Sequence, residues 1–147
     1  MIKVTFHSDT EVDEKNLIIA IIASIYNKKW VFCKHSKRGT FEMPAGRREK
    51  NESIENTARR ELYEETGATK FDLYPVSVYS VIENHQTNYG KLFFADIKVM
   101  KRIPEGSEMD FIILSDNLPE KLTYEYIQTK LFEKALEYAI SNSFISS

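Results

Sequence analysis

The most apolar stretch of the chain is Leu17–Tyr26, LIIAIIASIY, and no charged residue interrupts it. It is only about half as long as the roughly 20 residues that span a bilayer. Turn residues follow it (Asn27, Lys28, Lys29), then a second apolar run, Trp30–Cys33. Short apolar runs rich in β-branched residues and bounded by turn formers predict buried strands, here two strands joined by a tight turn. A further short strand is expected over Thr40–Met43, ended by Pro44, which cannot donate to a ladder, and Pro44–Asn51 reads as a loop. Downstream, Phe71–Ile82 and Tyr89–Val99 read as long strands separated by the polar segment Glu83–Asn88, and Phe111–Leu114 as one more.

Two segments carry the helical period instead. In SIENTARRELYEETG, Ile54, Ala58 and Leu62 recur at four-residue spacing, Ser53 is placed to cap the first turn, and Gly67 to supply the left-handed residue that ends it. The last helix is expected from about Glu125 to Ile140, with Ile127, Leu131, Ala135 and Tyr138 inward. Strands and helices in this order predict an α/β fold, a mixed sheet with the acidic helix on one side and the C-terminal helix on the other. The segment Phe6–Asn16 fits an edge strand, a lid or a dimer contact equally well.

At 147 residues, 42% of them hydrophobic, the chain suffices for one core, so residues 1–147 are expected to form a single domain. Twenty Lys plus Arg against 22 Asp plus Glu leave a net charge of -2, which argues against a general polyanion binder or a DNA-binding surface. Basic residues nevertheless cluster in KHSKRG and GRREK, on either side of Phe41, so a small phosphate ligand suits the chain better. The single Cys33 excludes an intrachain disulfide and alternates with Val31 as a core position; with no spanning segment or secretory pattern, a cytoplasmic protein is expected.

The acidic residues change the picture most. Glu55, Glu61, Glu64 and Glu65 lie on one predicted helix, with Glu52 just before it. Residues three and four apart share a helix face, so Glu61, Glu64 and Glu65 converge beside the apolar stripe, and like charges in that position repel. A solvated acidic face is one reading. The other is a site for a hard divalent cation, which takes oxygen ligands and shares them with substrate phosphates.

The whole segment decides between them. Gly46, five residues, Glu52, seven residues, then Arg60-Glu61-Leu62-Tyr63-Glu64-Glu65-Thr66-Gly67-Ala68 resembles the Nudix box without departure at a fixed position. The resemblance implies a Nudix-type α/β/α sandwich and a phosphoanhydride hydrolase dependent on Mg²⁺, or on Mn²⁺ in its place. It makes Glu61, Glu64 and Glu65 metal ligands and the candidates for proton transfer, with the Gly46 carbonyl as a further ligand. Glu52 would pair with Arg60 and tie the loop to the helix, and Gly67 would close the helix. A distal acidic ligand is expected between Arg102 and Asp110, with Glu108 first, then Asp110, then Glu105. Asp96 is expected to face solvent by strand alternation.

Around the box, RGTFEMPAG and the later NLPEKL are similar to bacterial Nudix enzymes that hydrolyse oxidised guanine nucleoside triphosphates. Ala45 departs from the second glycine usual there and is shared with enzymes acting on ADP-ribose and nucleoside diphosphate sugars, although the proline those enzymes carry beyond the box is missing from Tyr79–Glu83. A nucleoside triphosphate pyrophosphohydrolase is therefore expected. The alternatives are an ADP-ribose or nucleotide-sugar hydrolase, an RNA 5′-end pyrophosphohydrolase, and an inactive ligand-binding module. Candidate substrate contacts are His35, Arg38, Phe41, Arg47, Arg48 and, for the base edge, Asn117. The expected partner is a small nucleotide, with no membrane, acting on a monomer or homodimer.

Overall fold

The computed structural model describes residues 1–146. Among these, eight strands form one mixed sheet: β1 (Ile2–His7), β2 (Leu17–Tyr26), β3 (Lys29–His35), β4 (Phe41–Glu42), β5 (Ala45–Arg47), β6 (Ala68–Glu83), β7 (Gln86–Met100) and β8 (Met109–Ser115). The main order is β1-β6-β7-β2-β3-β4, with β5 on β2 and β8 on β3. β2 and β7 run parallel and the other pairs antiparallel. Helix α1 (Ile54–Thr66) and helix α2 (Glu125–Ser141) complete the fold.

Strand β2 is apolar on both faces because both are covered. Ala20 and Ile22 join Ile54, Ala58 and Leu62 of α1 in one cluster, while Ile21, Ala23 and Ile25 join Leu131, Phe132, Ala135 and Ala139 of α2 in another. The expected sandwich is thus present. Cys33 is fully buried, as its alternation predicts. Ser53 Oγ accepts from the Asn56 N–H, and Gly67, at φ 81°, ends α1 with its N–H on the Tyr63 carbonyl.

Three expectations need correction. The segment Pro44–Asn51 is not all loop: the Pro44 carbonyl accepts from the Ile22 N–H, and β5 pairs antiparallel with β2, setting Gly46 opposite Ala20. That partner is remote in sequence, so no local period announces it. The connector Glu83–Asn88 shrinks to Asn84 and His85, at φ 52° and 63°, the left-handed pair that closes a two-residue hairpin and lets both strands run on. In α2 the inward face is wider than expected: Gln128, Phe132 and Ala139 are buried beside Leu131 and Ala135, while Ile127 and Tyr138, half-buried, pack against the same core. Gln128 is tolerated inside because its Oε1 accepts from the Met43 N–H. Of Phe6–Asn16, only Phe6 and His7 belong to an edge strand, β1 on β6; the rest is turns ending in a 3₁₀ turn at Glu14–Asn16.

Among the described residues, Ser24 Oγ is the one buried side-chain polar atom without a hydrogen-bond partner. An unpaired hydroxyl in that position costs about 1–3 kcal/mol. Ser24→Ala is therefore expected to stabilise the fold by about 1 kcal/mol, read as a rise in the urea midpoint with an unchanged slope.

Candidate active site

Helix α1 begins at a capped serine and lays its apolar stripe on β2, which turns Glu61, Glu64 and Glu65 toward β5 and the loop before β8. All three line a cavity of about 760 Å³, together with Gly46, Glu42, Glu105 and Glu108. Its cationic lining is Arg38 and Arg47, His35 also faces it, and Tyr124 stands beside Arg38. Carboxylates and cations thus share one concavity.

The three helical carboxylates differ in surroundings. Glu65 is buried, 7% exposed, and its Oε1 accepts from the Ala45 N–H at 2.8 Å. Burial pushes its carboxyl up to about 9, opposed by the Ala45 N–H bond and reinforced by the neighbouring Glu61, Glu42 and Glu108 charges. Burial, with the Glu64 charge second, raises Glu61 to about 7 against the opposing pull of Arg60. Glu64 is half open, its side chain 46% exposed.

Arg60 is the cation that holds this group together. Its Nε and Nη2 grip Glu52 at 2.8 and 3.0 Å, and Nη1 reaches Glu61 at 2.6 Å and Glu64 at 3.2 Å. Nη2 also donates to the Arg47 carbonyl, so the helix is pinned to the end of β5. The bidentate Arg60 hydrogen bonds are the main reason the Glu52 carboxyl falls to about 2. Among the described residues no three His, Cys, Asp or Glu side chains already surround a single metal position. The donor set nevertheless suits a hard cation: its carboxylates and the Gly46 carbonyl offer oxygen only, two of the carboxylates are raised well above their ordinary value, and Glu64 is the most exposed of the three.

Gly46 fits the same requirement. A Cβ built there would lie 2.1 Å from Glu61 Cδ, so the backbone approaches the carboxylate more closely than any side chain permits. Gly46→Ala is expected to displace Glu61, leave the melting temperature within about 2 °C because a side-chain end can yield, and weaken metal-dependent turnover about 10–100-fold.

The other sequence candidates divide. His35, Arg38, Arg47 and Glu108 line the cavity. Arg48 does not: its guanidinium donates to the carbonyls of Leu17, Lys15 and Glu52, which makes it a clamp for the loop rather than a phosphate contact. Phe41 packs edge-to-face on Phe111 at the margin of the α2-side core. Asn117 lies exposed in the loop after β8, its N–H on Ser115 Oγ, outside the cavity lining. Of the acidic loop, Glu105 and Glu108 face the cavity, whereas Asp110 faces a second hollow behind the loop. Asp96 lies outside the cavity lining and takes an ion pair from Lys98.

Sequence reasoning missed Glu42 and Tyr124. Glu42 is buried and pairs with Arg38 at 3.2 Å, yet along the chain it looks like the polar alternate of a short strand. Tyr124 is 65% exposed in a left-handed backbone conformation, with the Arg38 guanidinium 5.6 Å from its ring centre. A large aromatic immediately ahead of the last helix was the available signal.

Fold and carboxylate arrangement define a Nudix-type sandwich, and residues 16–122 match the NUDIX domain family. The chain belongs to the Nudix family. It is 33% identical over 98 residues to a Bacillus subtilis protein named "Putative 8-oxo-dGTP diphosphatase YtkD", a match covering 67% of this chain and 61% of that relative's length. Among solved structures, a variant of the Bacillus subtilis pyrophosphohydrolase BsRppH superposes with a TM-score of 0.77 at 23% identity, over 93% of this chain and 90% of that one. A MutT Nudix hydrolase from Burkholderia pseudomallei gives 0.63 at 19% identity over 80% and 96%. An ADP-ribose pyrophosphatase from Streptococcus suis gives 0.60 at 14% over 84% and 92%. At these identities the structural likenesses establish the fold. No helix among the described residues is long and apolar enough to cross a membrane.

Proposed function

We propose that the protein is a metal-dependent pyrophosphohydrolase that cleaves a nucleoside triphosphate, 8-oxo-dGTP or a related purine nucleotide, to the monophosphate and pyrophosphate. The observation that carries this reading is the meeting of Glu61, Glu64, Glu65 and Glu108 with Arg38 and Arg47 in one cavity. Members of this family use divalent ions. Here Glu61, Glu64, Glu65, the Gly46 carbonyl and Glu108 would hold Mg²⁺, with Mn²⁺ as its substitute. Bound there, the ion would offset the phosphate charge and acidify a water molecule.

The protein's own groups supply the rest. Arg38 and Arg47 are the cations in the lining available to phosphate oxygens. Arg60, held on Glu52, keeps the helix carboxylates in place. Glu64, the most exposed of the three, takes the proton as the water oxygen bonds to phosphorus and the bridging P–O bond breaks, with pyrophosphate leaving. The purine triphosphate is favoured by RGTFEMPAG and NLPEKL, and by the name of the Bacillus subtilis relative.

The test is Mg²⁺-dependent turnover across dGTP, 8-oxo-dGTP, the other nucleoside triphosphates, ADP-ribose, UDP-glucose and a 5′-triphosphorylated oligoribonucleotide, with products weighed by mass spectrometry. Monophosphate plus pyrophosphate from one purine triphosphate is the expected result. Turnover confined to a diphosphate sugar or to the RNA end would overturn the substrate and keep the metal site.

A further inference from the structure

We propose that His35 is a positioning residue that fixes the Glu108 carboxylate toward Glu61, Glu64 and Glu65, an inference resting on the metal-dependent reading above. His35 is 5% exposed, whereas the Glu108 side chain is 75% exposed, so the imidazole is the fixed partner of the two. Its Nδ1 accepts from the backbone N–H groups of Lys37 and Arg38, both at 3.2 Å. A nitrogen that accepts carries no proton, so the neutral ring carries it on Nε2. Nε2 lies 3.6 Å from Glu108 Oε2, one small side-chain adjustment from a hydrogen bond.

The backbone supports the same pairing. The β3–β8 ladder changes register between Lys34 and His35, where His35 faces Met109, and irregularities of this kind re-aim side chains beside active sites. Just past it, the Ser36 N–H donates to the Glu108 carbonyl at 2.9 Å, tying the acidic loop to the His35 turn. An open glutamate on a loop otherwise loses rotamer entropy each time it is ordered. A buried N–H donor with its tautomer set by two amides removes much of that cost, as outer partners of metal ligands do.

The ordinary alternative is that His35 only caps its own turn. Two substitutions separate the roles. In His35→Asn the amide oxygen stands near the Nδ1 position and keeps the turn, but nothing reaches Glu108. In His35→Gln the amide nitrogen stands near Nε2 and keeps the donor. The proposal expects His35→Asn to lower Mn²⁺ affinity, measured by water-proton relaxation, and kcat by about 10–100-fold, with His35→Gln restoring most of both. It also expects His35→Asn to add less than about twofold in a Glu108→Gln background, and imidazole ¹⁵N shifts to show the Nε2–H tautomer. A silent His35→Asn with a damaging His35→Gln, or a full His35→Asn penalty without Glu108, would overturn it. Glu64→Gln run alongside separates the two levels: if that variant is folded and fully active, the metal reading falls and takes this inference with it. If it is inactive while His35→Asn is silent, only the inference falls.

Discussion

Glu65→Gln is expected to lower kcat about 10³-fold and, at the same time, to raise the melting temperature of the metal-free protein at pH 8. The two effects share one cause. Glu65 is buried beneath the cavity, and its carboxyl is pushed up to about 9, so the folded chain must either desolvate a charge or take up a proton to hold it. Glutamine keeps an oxygen for the Ala45 N–H and removes the ionisable group. The gain should be about 2 kcal/mol, or about 6 °C for a chain of this size. The loss of activity follows if that carboxylate is needed as a cation ligand, since a neutral amide is far weaker in that role. Scanning calorimetry in EDTA and steady-state kinetics in Mg²⁺ would give both numbers. A variant that is neither more stable without metal nor less active with it would remove Glu65 from the site.

The wild-type protein should show the same conflict as a dependence on pH. Glu61 and Glu65 rise from an ordinary value near 4.5 to about 7 and about 9 in the folded state. Between those values the folded state holds protons that the unfolded chain has released, so stability falls as pH rises. The slope is at most about 1.4 kcal/mol per pH unit for each group. Glu52 works in the opposite sense. Its folded value is about 2, so its pairing with Arg60 contributes fully above 4.5 and is lost as pH falls toward 2. From these three groups, metal-free stability peaks at about pH 4 and declines through pH 9. A divalent cation bound by the deprotonated carboxylates reverses the alkaline limb, because binding displaces the protons. Millimolar Mg²⁺ or Mn²⁺ should therefore raise the melting temperature more at pH 8 than at pH 6, as thermal scans at the two pH values would show. An equal rise at both, or none, would argue against cation binding by these groups.

The chain's own pattern settled a good deal. LIIAIIASIY reads as a buried strand, and Ile54, Ala58 and Leu62 with a serine before and a glycine after read as an amphipathic helix to lay on a sheet; both elements are present. The same helical period placed Glu61, Glu64 and Glu65 on a common edge, and the spacing from Gly46 through Glu52 to Arg60 carried the family. These are local properties: period, caps and spacing lie within one element or one loop, and a single chain displays them.

Tertiary structure decided what depends on contacts between distant segments. That Gly46 sits on a strand, against Ala20 and under Glu61, follows from β5 pairing with β2. Arg48 and Arg47 are neighbours of the same charge, yet one is spent on three carbonyls and the other opens to the cavity, because adjacent residues on β5 and its extension point opposite ways. Glu108 and Asp110, two residues apart, would share a face on a regular strand; they part company because Glu108 lies in the loop before β8, where the β3–β8 register shifts. Glu42 and Tyr124 enter the site only because β4 and the turn before α2 pack together, where the Thr123 N–H meets the Phe41 carbonyl. Residue type and spacing name the groups able to hold a cation; which face each presents, and to whom, is decided by strand pairing across the whole chain.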